Sequence, residues 1–361
     1  MRKYYLDNLR WITVVLVLFY HVLYMFNGEG ISGGIGKITD LNVQYYDLFL
    51  YFVYPWLMPI LFIVSGMSAY YYLSVHSDKD FVKARTSRLL VPSTIGLFVF
   101  QFVQGYVNMT LAGADESIKG IPGVIQYLIM AISGIGVLWF SQILWVFSML
   151  LILFRKIKEN IRWNRTKVPM ILFLLGLSIP VWLSAQVLNT PVIVVYRFGL
   201  YGFLFFLGYY LFSNEETIEV LKRYSTVLIC IALILGVIFC LHFFGENYAD
   251  APVNRSLLFA VYCWFGCLAL LAGMARYGDV KTRFSTWMSR HSFGLYVFHY
   301  LGISTVALFV VKQHLLPAPI VYLLSFIAGF LTGFVLDGIF SRIPFLRWAV
   351  LGIRKGKRKN V

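Results

Sequence analysis

Asp7-Asn8-Leu9-Arg10 opens the first apolar run of the chain, which continues from Trp11 to Tyr20 and ends at His21. At 3.6 residues per turn, the 11 steps from Arg10 to His21 make about three turns of an α-helix. The cation and the imidazole therefore share one face of that helix, about 16 Å apart along its axis. If the helix spans a membrane, Arg10 lies at a water interface and His21 lies well inside.

An imidazole at that depth has two interpretations. An ionisable side chain inside a membrane is costly, so it normally faces protein or a watery cavity and marks a site or a pathway. Alternatively, His21 is an interior histidine satisfied by a neighbouring helix, and Arg10 anchors the helix at the interface. The spacing alone does not choose between these two interpretations.

The composition places the whole chain in a membrane. Of its 361 residues, 60% are hydrophobic and 13% are charged, and the mean hydropathy is +0.76, whereas a soluble domain carries about 25% charged residues. At about 20 apolar residues per span, this content predicts an all-α, polytopic membrane helix bundle of about ten transmembrane helices. The predicted spans are 9–27, 52–73, 89–109, 131–153, 168–187, 193–212, 224–244, 256–275, 291–311 and 320–340.

The basic residues fall in alternate connectors between these spans. Of the 31 lysines and arginines, 26 lie on the side that holds both termini, which predicts cytoplasmic termini by the positive-inside rule. This pattern also explains the net charge of +15 without nucleic acid as a partner. We predict a transmembrane domain over residues 1–345, a basic cytoplasmic tail over 346–361 that binds lipid headgroups, and a multi-pass location in the inner (plasma) membrane.

Two other patterns do not predict a cofactor or a metal. The glycines of Gly28-Glu29-Gly30-Ile31-Ser32-Gly33 match a dinucleotide-binding pattern, but they follow a membrane helix and not a strand. All four cysteines lie in apolar runs, and Cys263-x-x-x-Cys267 is not a metal-ligand spacing. We therefore expect no metal site and no permanently bound cofactor.

The first helix resembles the signature of the acyltransferase-3 family of integral membrane acyltransferases. The matching text runs from Tyr5-Leu6-Asp7-Asn8-Leu9-Arg10 to Phe19-Tyr20-His21. Members of that family move acyl groups, often acetyl or succinyl, from a cytosolic coenzyme A thioester to a carbohydrate or another small acceptor. The resemblance implies that His21 is the catalytic residue, either as a general base or through a transient acyl-histidine, and that Asp7 supports the site.

A basic connector carries a second resemblance, in Arg85-Thr86-Ser87-Arg88-Leu89-Leu90-Val91-Pro92. On a short helix Arg85 and Arg88 would project from the same side, and two guanidinium forks suit phosphate oxygens. Ordinary positive-inside charge is the alternative explanation. The run is similar to the family's cytoplasmic motif, which implies that Arg85, Arg88 and Arg10 bind the phosphates of the donor, acetyl-CoA or succinyl-CoA.

Two spans carry shorter elements that are similar to the family. Leu61-Phe62-Ile63-Val64-Ser65-Gly66 matches a Phe-x-x-Ser-Gly element, although small residues also let membrane helices pack closely, so packing is the favoured role of Ser65. Leu138-Trp139-Phe140 is similar to a Trp-Phe-Leu element, and Trp139 is interpreted as a wall of the acyl tunnel. Val137 stands where members often have histidine, and no glutamate follows, so this span supplies no second proton-transfer partner.

Three further polar residues leave alternatives open. Tyr296 and His299 form a Tyr-x-x-His element on one face of the ninth span. If that face meets the first helix, His299 orients or hydrogen-bonds the site; otherwise the pair is a polar contact between helices. Arg197, near the start of the sixth span, either extends to the interface or faces the site and binds an acceptor.

These resemblances predict a membrane acyltransferase that moves an acetyl or similar short acyl group from cytosolic acyl-CoA to a hydroxyl of a carbohydrate or other envelope acceptor. The expected partners are acyl-CoA, membrane lipids and that acceptor, and the oligomeric state is unknown. A multi-pass transporter or exporter of a small molecule or glycan precursor is the main alternative. That class predicts inverted repeats with broken helices, and the sequence shows no repeat. A non-catalytic membrane scaffold or sensor is the third class.

Overall fold

The computed structural model describes residues 3–31, 33–155, 169–191, 195–311 and 316–354. These residues form helices and one two-stranded antiparallel sheet, in which Asn189 pairs with Arg197. The elements are α1 Tyr4–Met25, α2 Leu48–Leu73, α3 Asp78–Arg85, α4 Val91–Gly96, α5 Phe102–Leu111, α6 Gly123–Ser133, α7 Trp139–Arg155, α8 Met170–Gly176, α9 Ser178–Gln186, β1 Asn189–Pro191, β2 Val195–Arg197, α10 Phe198–Tyr210, α11 Glu215–Arg223, α12 Ser225–Phe243, α13 Leu257–Tyr277, α14 Arg283–Val306, α15 Ala318–Phe340 and α16 Pro344–Ala349.

The predicted helical membrane bundle is confirmed. Among the described residues, eight helical segments are long and apolar enough to cross a membrane. The predicted spans 168–187 and 193–212 fall on shorter apolar helices, Met170–Gln186 and Phe198–Tyr210. At 1.5 Å per residue, α10 is only about 20 Å long, so the predicted count of ten full spans is not confirmed.

The third span begins earlier than its hydropathy suggests. Its helix is continuous from Asp78 to Leu111 and contains π-helical turns at Thr86–Leu90 and Leu97–Gln101. Ser77 caps its start by accepting a hydrogen bond from the Asp80 backbone amide. The charged stretch that resembled a connector is therefore helical, which holds Arg85 and Arg88 on a rigid element.

Glycines allow α2 and α10 to approach to backbone contact. A Cβ atom on Gly66 would collide with the carbonyl oxygen of Phe205, and one on Gly208 would collide with that of Ile63. Small residues promote close helix packing in membranes because lipid offers no hydrophobic drive for helices to associate. The Ser65-Gly66 pair thus lies at a tight helix crossing.

A second tight crossing joins α14 to α15. A Cβ atom on Gly302 would collide with the Ala328 carbonyl, and one on Gly333 would meet the Leu295 side chain. Helix α1 packs against both α14 and α15. This three-helix group fixes the position of α14 relative to α1.

The region after α15 packs on the bundle. Val350 and Leu351 are buried, and the Ser87 hydroxyl donates a hydrogen bond to the Gly352 carbonyl at 3.2 Å. The part of the predicted tail within the described residues, 346–354, therefore contacts the third span. The rest of that tail, 355–361, and most of the basic loop at 155–167 lie outside the described residues.

We expect Gly66→Ala to lower the thermal unfolding midpoint of the detergent-purified chain, because the added methyl group would collide with the α10 backbone. Overpacking of this kind costs about 1–3 kcal/mol. Gly338→Ala on α15 is the matched control, since among the described residues no neighbouring atom lies within 4 Å of its added methyl group and alanine favours helix. Equal midpoints for the two variants would contradict the close crossing.

Candidate active site

Two imidazoles meet where α1 packs against α14. The Nδ1 atom of His21 and the Nε2 atom of His299 are 2.9 Å apart. His299 is fully buried, whereas His21 is partly exposed. The face of α14 that carries His299 therefore does meet the first helix, and the two histidines form a hydrogen-bonded pair.

The hydrogen bonds assign the protons of this pair. The Nδ1 atom of His299 lies 2.9 Å from the Leu295 carbonyl oxygen, which can only accept, so a neutral His299 donates from Nδ1 and accepts at Nε2. His21 must then donate from Nδ1, which leaves a lone pair on its Nε2 atom. A neutral imidazole with a free lone pair can act as a general base or a nucleophile.

Tyrosine rings surround His21. The ring centroids of Tyr20, Tyr24 and Tyr300 lie 5.5, 6.0 and 5.2 Å from its own. His21 is four residues from the end of α1 at Met25, about 6 Å along the axis. The imidazole therefore lies nearer the predicted outer end of the bundle than the sequence suggested.

Arg10 and Arg85 converge on one face of α2. Arg10 donates from Nη1 to Asp7 Oδ1 at 3.0 Å and from Nη2 to Ser68 Oγ at 2.7 Å. Arg85 donates to the Ser65 carbonyl oxygen at 3.5 Å, and its guanidinium group is close enough to that of Arg10 for the two to repel each other. Two like charges held together in this way favour a bound anion.

Arg88 is placed differently from these two residues. It is exposed in the π-helical turn Thr86–Leu90, and no ion pair forms on it among the described residues. The structure thus joins Arg10 with Arg85 and leaves Arg88 at the surface. Sequence reasoning missed Ser68, because a serine hydroxyl in an apolar helix carries no positional signal of its own.

A basic cavity lies at the same end of the bundle, at the start of α14. It has a volume of about 400 Å³. A small adjoining space is lined by Asp7 and Lys281 among others, so the cavity approaches the start of α1. Its lining residues are Lys281, Thr282, Arg283, Thr286, Trp287 and Arg290.

Tyr296 and Trp139 pack in aromatic walls near the start of α7. The Tyr296 hydroxyl donates to the carbonyl oxygen of Val137, so this side chain faces the start of α7. Trp139 stacks on Tyr201 with centroids 5.7 Å apart. The backbone carbonyl of Val137 therefore positions a tyrosine.

Arg197 is buried at the start of α10, with 1% of its surface exposed. Its Cζ atom lies 4.5 Å from the Tyr54 ring centroid and 4.7 Å from that of Phe259. The side chain is therefore enclosed by protein between an α2 ring and an α13 ring.

The histidine–carboxylate pair formed by His291 and Asp337 was not predicted from the sequence. His291 Nδ1 lies 2.5 Å from Asp337 Oδ2, which joins α14 to α15 about 12 Å along the axis from His299. The available signal was Asp337 itself, an ionisable residue in an otherwise apolar span. Among the described residues, no group of three or more His, Cys, Asp or Glu side chains is arranged to hold a metal ion.

A carboxyl group in the loop after α1 titrates near neutral pH. Burial, with a smaller contribution from the Asp47 carboxyl group, raises the pKa of Glu29 to about 7. Glu29 is also near enough to interact electrostatically with Tyr248, whose hydroxyl lies 3.3 Å from that of Tyr20. The charge on Glu29, beside Tyr248 and Tyr20, therefore changes close to pH 7.

Comparison with known proteins identifies one match. A family model described as an acyltransferase domain covers residues 3–338, nearly the whole chain. No curated protein and no solved structure matches the chain.

We expect nitrogen-15 NMR of histidine-labelled protein to find His21 as the Nδ1-protonated tautomer, because His299 offers Nε2 as an acceptor. His299→Ala removes that acceptor and should reduce the population of this tautomer. His242→Ala, at an exposed position on α12, is the matched control and should leave the His21 signal unchanged. A wild-type His21 protonated on Nε2 would contradict the assignment.

Proposed function

We propose that this chain, which belongs to the acyltransferase-3 family, moves a short acyl group from cytosolic acyl-CoA to an acceptor hydroxyl with His21 as general base. Family membership supports a membrane acyltransferase in general. The observation that carries the finer assignment is the hydrogen bond between His21 Nδ1 and His299 Nε2, which leaves the lone pair on His21 Nε2 when both rings are neutral. His299 acts as a positioning residue.

In the proposed reaction, the acceptor oxygen attacks the thioester carbonyl carbon while its proton passes to His21 Nε2. The carbon–sulfur bond breaks, and the departing thiolate takes the proton back, so the products are an ester and free coenzyme A. The hydrogen bond to His299 stabilises the imidazolium that forms in between. General base catalysis of this kind contributes about 10²–10⁴ in rate.

The same lone pair also permits nucleophilic catalysis. His21 Nε2 would attack the thioester carbon, release coenzyme A and pass the acyl group to the acceptor from an acyl-histidine. Both routes require a neutral His21 oriented by His299. Acyl label retained on protein quenched before acceptor is added identifies the acyl-histidine route.

The arginines near the start of α1 support a donor that enters from the cytoplasm. Arg10 and Arg85 provide two guanidinium groups for the pyrophosphate, with Arg88 exposed nearby. Arg10 is about 16 Å from His21 along α1, which suits an extended pantetheine arm with its thioester at the histidine. The two ends of α1 would thus bind the two ends of one substrate.

The basic cavity suits the nucleotide end of the same donor. Lys281, Arg283 and Arg290 line it with three positive charges, and Trp287 offers an aromatic surface. Cations bind phosphate groups, and a tryptophan ring can stack on an adenine base. Acetyl-CoA or succinyl-CoA is accordingly the proposed donor substrate.

The position of His21 supports an acceptor that approaches from the opposite side. The imidazole is about 6 Å from the end of α1, under the loop whose Gly33 carbonyl accepts a hydrogen bond from Tyr300 at 3.2 Å. We propose a hydroxyl of an envelope carbohydrate or other small molecule as acceptor and the inner (plasma) membrane as the location.

His21→Ala should abolish thiol release from acetyl-CoA by the purified protein, because it removes the Nε2 lone pair that we propose as the base. Thiol release and transfer of labelled acetyl are measured with and without an envelope glycan extract. His242→Ala is the matched histidine control and should retain activity. Full activity in folded His21→Ala would refute the mechanism. If the wild-type protein releases no thiol from acetyl-CoA, a transporter or a scaffold would be favoured instead.

Arg85→Gln should raise KM for acetyl-CoA about 10- to 100-fold, since a hydrogen bond to a charged group contributes about 1.5–3 kcal/mol. The maximal rate should change little, because the phosphates are bound equally in the ground and transition states. Lys79→Gln, at an exposed position on the same helix, is the control for general loss of cytoplasmic charge. An unchanged KM in Arg85→Gln would remove this residue from the donor site.

A further inference from the structure

Arg197 is a cation enclosed in the bundle, and among the described residues it has no carboxylate partner. None of them makes a hydrogen bond of ordinary geometry to its Nε, Nη1 or Nη2 atoms, although only 1% of the residue is exposed. The ionisable groups that interact with it are Tyr54, Tyr201 and Cys263, of which the Tyr54 hydroxyl is close enough for a weak hydrogen bond, and none of these is a carboxylate. A guanidinium group in such a place is costly, because its loss of hydration is not compensated by a counter-ion.

The aromatic neighbours satisfy only part of the group. Tyr54 and Phe259 approach Cζ at 4.5 and 4.7 Å, which are cation–π distances. Ring contacts cover the flat faces of a guanidinium group and leave the N–H donors on its edge. That edge is the part that binds a carboxylate or a phosphate through two parallel hydrogen bonds.

The ring wall connects Arg197 to the histidine pair. Tyr54 stacks on Tyr20 with ring centroids 6.0 Å apart. The ring centroids of Tyr20 and His21 are 5.5 Å apart. On the other side, Tyr201 stacks on Trp139. A chain of ring contacts through Tyr54 and Tyr20 therefore links Arg197 to the proposed base.

We propose that Arg197 binds an anionic group, a carboxylate or a phosphate, on the acceptor whose hydroxyl is acylated at His21. This inference rests on the proposed function and narrows its acceptor to acidic molecules, such as an acidic or phosphorylated sugar. The anion lies against the free N–H edge, and the aromatic rings hold that edge in a fixed direction. Neutral sugars lack the group that would compensate the buried charge.

The test compares three probes that share a hexose ring and differ at carbon 6: glucuronate, glucose 6-phosphate and glucose. The thermal unfolding midpoint of the purified full chain is measured with each at constant ionic strength, since a ligand that binds the folded state raises the midpoint. In wild type we expect glucuronate or glucose 6-phosphate to raise the midpoint and glucose to leave it unchanged. Whichever of glucuronate and glucose 6-phosphate raises the midpoint more shows whether the site prefers a carboxylate or a phosphate.

Arg197→Met should lose the anion-dependent rise, because it removes the N–H edge and keeps an apolar side chain of similar length. Without any probe, its midpoint should equal or exceed that of wild type, since an uncompensated buried charge has been removed. Arg223→Met is the matched control, because Arg223 is exposed and also lies near a ring, with Cζ 6.0 Å from the Tyr224 centroid. That variant should retain the rise.

Arg197→Lys keeps the positive charge but loses the two parallel N–H donors of the guanidinium group. It therefore distinguishes an effect of charge from an effect of hydrogen-bond geometry. We expect a weaker anion-dependent rise and, where transfer to an acidic acceptor is measured, a KM raised about tenfold with little change in kcat. An equal rise with glucose, no anion-dependent rise in wild type, or a full rise in Arg197→Met would overturn the proposal. A probe-free midpoint below wild type in Arg197→Met would also count against it, because a structural role predicts that loss.

The acetyl-CoA assay keeps this inference separate from the proposed function. If wild type releases no thiol from acetyl-CoA but still shows the Arg197-dependent rise, the anion site stands and the proposed enzyme activity fails. If His21-dependent transfer is found but anions give no rise, the activity stands and the anion site fails.

Discussion

The hydrogen bond between His21 and His299 is the interaction on which the candidate site depends. It requires α1 and α14 to be held at one fixed distance, because imidazole nitrogens hydrogen-bond only within a narrow range. Gly302 and Gly333 supply that constraint by seating α14 tightly against α15. The chemistry that we propose at His21 therefore depends on backbone packing between α14 and α15, at a crossing that does not include α1 itself.

The site has a direction across the membrane. Arg10 and Arg85 collect positive charge at one end of α1, and His21 lies among tyrosines at the other. The donor that we propose, with an anionic head and a thioester tail, fits that order, because its charge would stay near water while its acyl group would enter the bundle. The residues between the two ends are mostly apolar, which suits a long uncharged arm.

Buried polar groups follow two different rules in this bundle. His299 donates to the Leu295 carbonyl, and His291 meets Asp337, so these groups are satisfied within the protein. Arg197 differs from them, because among the described residues its charge has aromatic neighbours and no carboxylate partner. A buried group that a fold leaves unsatisfied destabilises the protein, and such groups persist where they serve binding or catalysis.

The sequence by itself determined the membrane class, the helical architecture and the place of His21 on one face with Arg10, because hydropathy and helical periodicity are local properties of the chain. The resemblance to a family also pointed to Arg85 and His299. Tertiary structure alone decided which residues meet. It brings His299 to His21 and Tyr296 to Val137. It also places Ser68 in hydrogen-bond contact with Arg10 and buries Arg197. These outcomes depend on the rotation and separation of helices distant in sequence, and side-chain periodicity within one helix does not specify its neighbour.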